Sequence, residues 1–197
     1  MKIAILSSNI SNEAGGYAES SFLLRNRLEK IKGNDAYLFG FWKSKFFKLN
    51  YKLTDRINIF SPGYIDIFPF SIKYFKKLFN IKPEIIDIQG LWSSTSILSL
   101  MYHFLSKTPY IVTPRGMLEE WALKQSYFKK KLFYFLVEKF HLKYATYLRA
   151  TSDLEASTFK KLGFKTNKIL NIPNSIKIPN FKFNQRKKKL KKKDYCF

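Results

Sequence analysis

Apolar positions in this chain come in short runs between polar, glycine- or proline-bearing breaks, and two spacings alternate. Lys2 to Leu6 carries Ile3, Ala4, Ile5 and Leu6 in a run too short for a helix, which predicts a buried strand. A polar loop with Gly15-Gly16 follows. From Ala18 to Lys32 the apolar residues Phe22, Leu23, Leu28 and Ile31 recur at helical spacing, with Arg25, Arg27 and Lys30 on another face, and Gly33 closes the helix. Asp35 to Phe39 predicts a second strand and Arg56 to Phe60 a third, ended by Ser61-Pro62-Gly63. Ser71 can cap a helix with Ile72, Phe75, Leu78 and Phe79 on one side. Pro83 then precedes a strand over Glu84 to Ile88, and Ser93 or Ser94 can cap a helix from Thr95 to Ser106.

The second half repeats the alternation. Tyr110, Ile111 and Val112 are aromatic and β-branched, as a short buried strand requires, and Pro114 must end it because proline has no N–H for the ladder. Tyr127 to Ala145 is amphipathic: Leu132, Phe133, Leu136, Val137 and Phe140 give an apolar side, and Lys129, Lys130, Lys131, Lys139 and Lys143 a basic one. Two readings fit it, an outer helix of the sheet with a solvated face or a helix lying on an anionic membrane. Tyr147 to Thr151 predicts a strand, and Ser152 with Glu155 three residues later a capping box in which the carboxylate satisfies a helix terminus. Lys168 to Ile172 is the last strand. Strands alternating with helices predict an α/β fold: a Rossmann-like, mostly parallel sheet with helices on both faces.

Composition narrows the chemistry. A length of 197 residues and a hydrophobic fraction of 46% suit one folded domain. One cysteine, Cys196, allows no disulfide framework within a chain, and two scattered histidines, His103 and His141, predict no metal site. The net charge is +22, and eight basic residues lie in the run from Lys182 to Lys193. Such a surface attracts phosphates on activated sugars, anionic lipid or nucleic acid. Abundant Lys, Phe, Tyr, Ile and Asn together would also follow from an A/T-rich coding bias. The apolar start, Ile3 to Leu6, is cut short by Ser7, Ser8 and Asn9, so it predicts no signal peptide, and no run is long enough to span a bilayer.

Chemistry concentrates where strands release the chain. Arg115 sits between the breakers Pro114 and Gly116 at a strand end, the edge where parallel sheets bind ligands; pairing with a neighbouring acid is the alternative reading. Gly15-Gly16 after the first strand opens a strand–loop–helix–strand unit of the nucleotide-binding type, or makes a tight turn and no more. The segment Gln89-Gly-Leu-Trp92, the stretch Thr113-Pro-Arg-Gly-Met-Leu-Glu-Glu-Trp-Ala-Leu123, the Ala150-Thr-Ser-x-x-Glu155 box and Pro173-Asn174-Ser175 resemble, in that order, the amino-terminal domain of retaining glycosyltransferases of the two-domain GT-B fold, glycosyltransferase family 4 in particular. Two positions depart from the family's wording. Gln89 stands where a histidine is usual, which removes a titratable group, and Ser175 stands where glycine is usual.

The resemblance covers Met1 to Ile176 and implies an acceptor-side domain over 1–176. Residues 177–197 would be a Lys-rich, disordered interdomain linker and the start of a second, donor-binding domain. It implies transfer of a sugar from a nucleotide-sugar donor to a glycan or lipid-linked acceptor in surface polysaccharide biosynthesis, with retention and without metal or further cofactor. It places substrate binding on Gly15, Gly16, Gln89, Trp92, Arg115 and Gly116, and names no catalytic base. The chain then reads as a truncated or split enzyme, inactive alone unless a separate donor-domain polypeptide completes it. Its location would be the cytoplasm, peripheral to the inner face of the cell membrane. The competing reading is a basic, non-catalytic module for nucleic acid or an anionic membrane surface; the absence of any nucleic-acid-binding motif counts against the first of these.

Overall fold

Among the described residues seven strands lie side by side in the order β3-β2-β1-β4-β5-β6-β7, every neighbouring pair parallel. They are β1 (Lys2–Ser7), β2 (Asp35–Phe41), β3 (Ile57–Phe60), β4 (Ile85–Gln89), β5 (Tyr110–Thr113), β6 (Tyr147–Ala150) and β7 (Ile169–Asn171). The computed structural model describes residues 1–11, 14–42, 54–60 and 71–174. The expectations for the turn at Ser61-Pro62-Gly63 and for the 177–197 tail lie outside them.

Helices connect the strands: α1 (Gly16–Glu29), α2 (Ile72–Ile81), α3 (Ser94–Ser106), the short α4 (Glu120–Lys124), α5 (Tyr127–Phe133), α6 (Lys139–Tyr144) and α7 (Asp153–Lys161). Successive residues of a strand point to opposite sheet faces. On one face Ala4, Leu6, Phe39, Ile86, Ile88, Val112 and Leu148 pack with Tyr74 and Leu78 of α2, Leu98 and Tyr102 of α3, Leu142 of α6 and Phe159 of α7. On the other, Ile5 and Leu38 pack with Phe22 of α1. Phe22 is completely buried there, so its truncation to alanine costs about 3–5 kcal/mol. The α/β class and the parallel sheet read from the sequence are therefore what the chain forms.

The local differences have physical causes. α1 starts two residues before Ala18 and ends before Ile31, which is left exposed. Arg25 is buried rather than on an outer face, because its Nε donates to the Ala36 carbonyl at 3.0 Å and its guanidinium meets Glu29. Ser71 caps α2 as read, accepting from Tyr74 N. The stretch from Tyr127 to Tyr144 is one helical rod with a π-turn over Tyr134–Glu138, where the Lys139 N–H reaches back to the Tyr134 carbonyl. Its inward side is not the apolar side read from spacing: Glu138, His141 and Leu142 face in, while Leu132, Leu136 and Phe140 face out.

Sheet order fixes where a site can form. From β1 the chain winds outward to β2 and β3, then returns to β4 on the other side and proceeds to β7. The loops after β1 and β4 therefore diverge at the sheet's carboxyl edge, opening a crevice at this switch point.

Candidate functional site at the carboxyl edge

A cavity of about 790 Å³ occupies that edge, within the range of small-molecule sites. Its wall combines Ser8 and Asn9 after β1, Gly16, Tyr17 and Ser20 at the start of α1, and Arg115 and Met117 after β5. Asn174, after β7, closes one side.

Two features bring positive groups to this cavity, whose wall also carries one exposed carboxylate, Glu19. The first is the start of α1. Gly15 precedes it with φ 55° and ψ −135°, a conformation suited to glycine, and provides no side chain to cap the first N–H groups. A Cβ built on either Gly15 or Gly16 meets no described atom within 4 Å, so backbone is open to a ligand here. The second is Arg115, itself in the left-handed region at φ 57°. Its Nε donates to Gln89 Oε1 at 2.7 Å and its Nη1 to Ser20 Oγ at 2.6 Å, and the guanidinium lies over the Tyr17 ring at 5.6 Å. Burial pushes the Arg115 pKa down, while Tyr17 and Asp87 pull it back up. Among the described residues no acid forms an ion pair with it.

A ladder of polar groups holds the arginine from behind. Gln89 is fully buried, and its Nε2 donates to Asp87 Oδ1 at 2.6 Å. Thr113 Oγ1 donates to the same carboxylate oxygen at 3.3 Å. Burial raises the Asp87 pKa, opposed by Arg149, Arg115 and these two hydrogen bonds. Tyr17 closes the other side, its hydroxyl bonded to the Gln89 carbonyl and to Ser8.

Glu155 takes a different role from the one its spacing predicts. Ser152 Oγ does accept from Glu155 N at 3.2 Å, which is half of a capping box. The carboxylate, however, accepts from Gly116 N at 2.8 Å, Thr151 N at 2.7 Å and Thr151 Oγ1 at 2.9 Å. It therefore clamps the Arg115-Gly116 turn to the end of β6.

The six residues singled out from the sequence thus lie on one sheet edge but in different settings. Gly16 and Arg115 line the cavity, and Gly15 adjoins it. Gln89 stands behind Arg115 with both ends of its amide engaged within the protein, and Gly116 gives its N–H to Glu155. Trp92 lines a separate apolar cavity of about 210 Å³ with Leu118, Leu123, Tyr127 and Tyr134. Tyr17, Ser20 and Asp87 were missed. Their one usable signal was position: Tyr17 and Ser20 are one helical turn apart beside the glycine pair, and Asp87 interrupts an apolar strand.

No family model matches this sequence, and no curated protein matches it significantly. Its fold does recur among solved structures. A UDP-GlcNAc 2-epimerase from Neisseria meningitidis bound to UDP-GlcNAc superposes with a TM-score of 0.58 at 13% identity, over 88% of this chain and 46% of the epimerase. Anabaena Alr3699/HepE in complex with UDP-glucose gives 0.58 at 12%, over 89% and 44%. The lipopolysaccharide outer core galactosyltransferase WaaB in its apo form gives 0.57 at 13%, over 91% and 47%. The chain thus spans less than half the length of these structures. At such low identity the likeness shows architecture: one Rossmann-like half of a GT-B-like fold.

Proposed function

We propose that this domain handles nucleotide-sugars, and that its carboxyl-edge cavity receives the phosphoryl-bearing part of such a substrate. The observation that carries this reading is Arg115. A guanidinium without an acid partner among the described residues is held against Ser20 near the start of α1, where Gly15 supplies no side-chain cap to the first helix N–H groups and Gly16 lines the same cavity. Cation, helix terminus and bare backbone together suit an oxygen-rich anion. Support from outside the chain is architectural, since HepE was solved with UDP-glucose and the meningococcal epimerase with UDP-GlcNAc on this fold.

Within that class, the reading favoured by the sequence motifs is sugar transfer of the family 4 type to a glycan or lipid-linked acceptor. In such a reaction the bond from the anomeric carbon to the diphosphate oxygen breaks, a bond from that carbon to the acceptor hydroxyl oxygen forms, and the hydroxyl proton passes to the departing diphosphate. The diphosphate leaves with the bonding electrons, so charge grows on its oxygens. Positive groups already fixed in place stabilise that charge without reorganising. Arg115 and the start of α1 are such groups.

The test is a titration of ¹⁵N-labelled 197-residue chain with UDP-glucose and, separately, with inorganic diphosphate, followed by NMR. Both ligands are expected to shift the amides of Gly15 to Ser20 and the Arg115 side-chain Nε. Arg115→Ala should weaken the response at least roughly tenfold, as loss of a charged hydrogen bond implies. Absence of any shift at these positions at millimolar ligand overturns the proposal, as does an unchanged response in Arg115→Ala.

A further inference from the structure

The outer side of the rod from Tyr127 to Tyr144 carries a row of large apolar residues with no described side chain covering it. Phe128 is 84% exposed, Leu132 63% and Leu136 66%, and Phe135, Phe140 and Tyr144 continue the row. Its alignment has a geometric cause. Four residues overshoot a 3.6-residue turn by about 40°, so a row spaced by fours drifts around a plain α-helix. The extra residue taken up by the π-turn at Tyr134–Glu138 turns the row back, and it stays on one side for the length of the rod. At Tyr144 it meets the exposed Phe104 of α3, ring centroids 5.0 Å apart, which widens the patch.

The charges beside this row have one sign. Lys129, Lys131, Lys139 and Lys143 are exposed. The one acid between Tyr127 and Tyr144, Glu138, is turned inward and fully buried, its carboxylate taken by Trp92 N, Ser96 Oγ and His141 Nδ1. The rod begins beyond the carboxyl end of β5 and leads back to the amino end of β6. It therefore runs down a flank of the domain, away from the crevice edge.

We infer that this face docks on an anionic membrane surface. An apolar row about 25 Å long flanked by lysines is what an interfacial helix presents: side chains for the acyl boundary and ammonium groups for lipid phosphates. Self-association fits the charge pattern poorly, because two copies joined along the row would bring their lysine flanks together. No helix among the described residues is long and apolar enough to cross a membrane, so this contact lies in the interface plane. The inference does not depend on what the carboxyl-edge cavity holds.

Flotation of the full chain with phosphatidylcholine vesicles, and with equimolar phosphatidylcholine and phosphatidylglycerol vesicles, tests it. The basic run from Lys182 to Lys193 would attract anions by its charge alone, so every variant is also made with its eight basic residues changed to glutamine. Expected is binding to the anionic vesicles that survives the glutamine changes. Phe128→Ser with Leu132→Ser should lower it roughly tenfold or more, and so, independently, should Lys129→Glu with Lys131→Glu and Lys139→Glu. Because all these side chains are exposed, circular dichroism is expected to show each variant folded. Binding carried wholly by the Lys182–Lys193 run, equal binding to neutral vesicles, or a dimer in solution that the serine variants dissociate while vesicle binding persists would each overturn the inference.

Discussion

The side-chain oxygen of Gln89 accepts a hydrogen bond from Arg115 Nε at 2.7 Å, and this contact aims the cation of the cavity. The amide cannot be reversed. Its NH₂ group faces the Asp87 carboxylate on one side, and a guanidinium that only donates stands on the other. Asp87, Gln89, Arg115 and Ser20 thus form a ladder from the sheet to the second turn of α1, with donor and acceptor fixed at each rung.

Gln89→Leu keeps the bulk and removes both rungs, leaving Asp87 and Arg115 short of partners in a partly buried place. A loss of about 1–3 kcal/mol in urea unfolding is expected, together with a weaker ligand response. Gln89→His should fall within about 1 kcal/mol of the original, because an imidazole can donate to Asp87 through one nitrogen and accept from Arg115 through the other. Equal damage from both changes would show that the ladder does not orient the arginine.

The raised pKa of Asp87 sets a pH dependence with a definite sign. Its folded pKa lies above the ordinary 3.8, so the fold favours the protonated carboxyl. That contribution to stability is complete below the ordinary value and is lost as pH rises through the raised one. Asp87→Asn carries no such titration. Compared with that variant, the original chain should gain stability as pH falls through the interval just above 3.8. Parallel urea titrations across that interval check it. A relative gain on raising the pH would contradict the assignment.

Much of this architecture is legible in the sequence, for reasons particular residues make plain. Ile3 to Leu6, Glu84 to Ile88 and Tyr110 to Val112 read as strands because each is a short, mainly apolar run between polar or proline breaks, and buried parallel strands need nothing subtler. Arg115 reads as a site residue because Pro114 and Gly116 mark the strand end. What spacing could not reveal was which neighbour each polar group meets. Glu155 satisfies a turn 39 positions earlier, Glu138 a loop 46 positions earlier, and Ser20 meets Arg115 across 95. Spacing left the facing of the Tyr127–Tyr144 rod open between two readings for a related reason. One buried carboxylate with three partners fixes the inward side, and it outweighs an apolar count that marks the outer side equally well.

Glu138 provides a measure of that effect. Glu138→Leu places an apolar group against Trp92 N, Ser96 Oγ and His141 Nδ1, all of which lose an acceptor. A cost of about 3–5 kcal/mol is expected, by analogy with removing one partner from a buried charged pair. Glu138→Gln retains one carbonyl acceptor and should cost less. Trp92 fluorescence reports the local part of the damage, since Glu138 holds that residue's backbone at φ 59°.

Glu155→Ala should release the Arg115-Gly116 turn from β6. Three donors lose their shared acceptor, at a cost of about 1–3 kcal/mol. Hydrogen exchange is expected to accelerate at Gly116 and Thr151 before it does so in β1 or β4. Uniform acceleration over the whole sheet would instead mean that the carboxylate supports the fold at large.

The glycine pair separates folding from binding most cleanly. Gly15 has a backbone conformation that L-residues resist, although a Cβ there meets no described atom, so its requirement comes from the main chain. Gly15→Ala should therefore cost about 1–3 kcal/mol of stability. Gly16 is already the first residue of α1, and a Cβ there also meets no described atom. The fold gives no reason for glycine at this position, and Gly16→Val should leave stability within about 0.5 kcal/mol of the original. If phosphoryl oxygens approach the start of α1 as proposed, the valine side chain occupies the space they need. UDP-glucose should then shift the Tyr17 to Ser20 amides only weakly in Gly16→Val, while Gly15→Ala, once folded, keeps a larger share of the response. Full retention of ligand shifts in Gly16→Val would move the anion site away from this helix terminus and leave Gly16 without a role in binding.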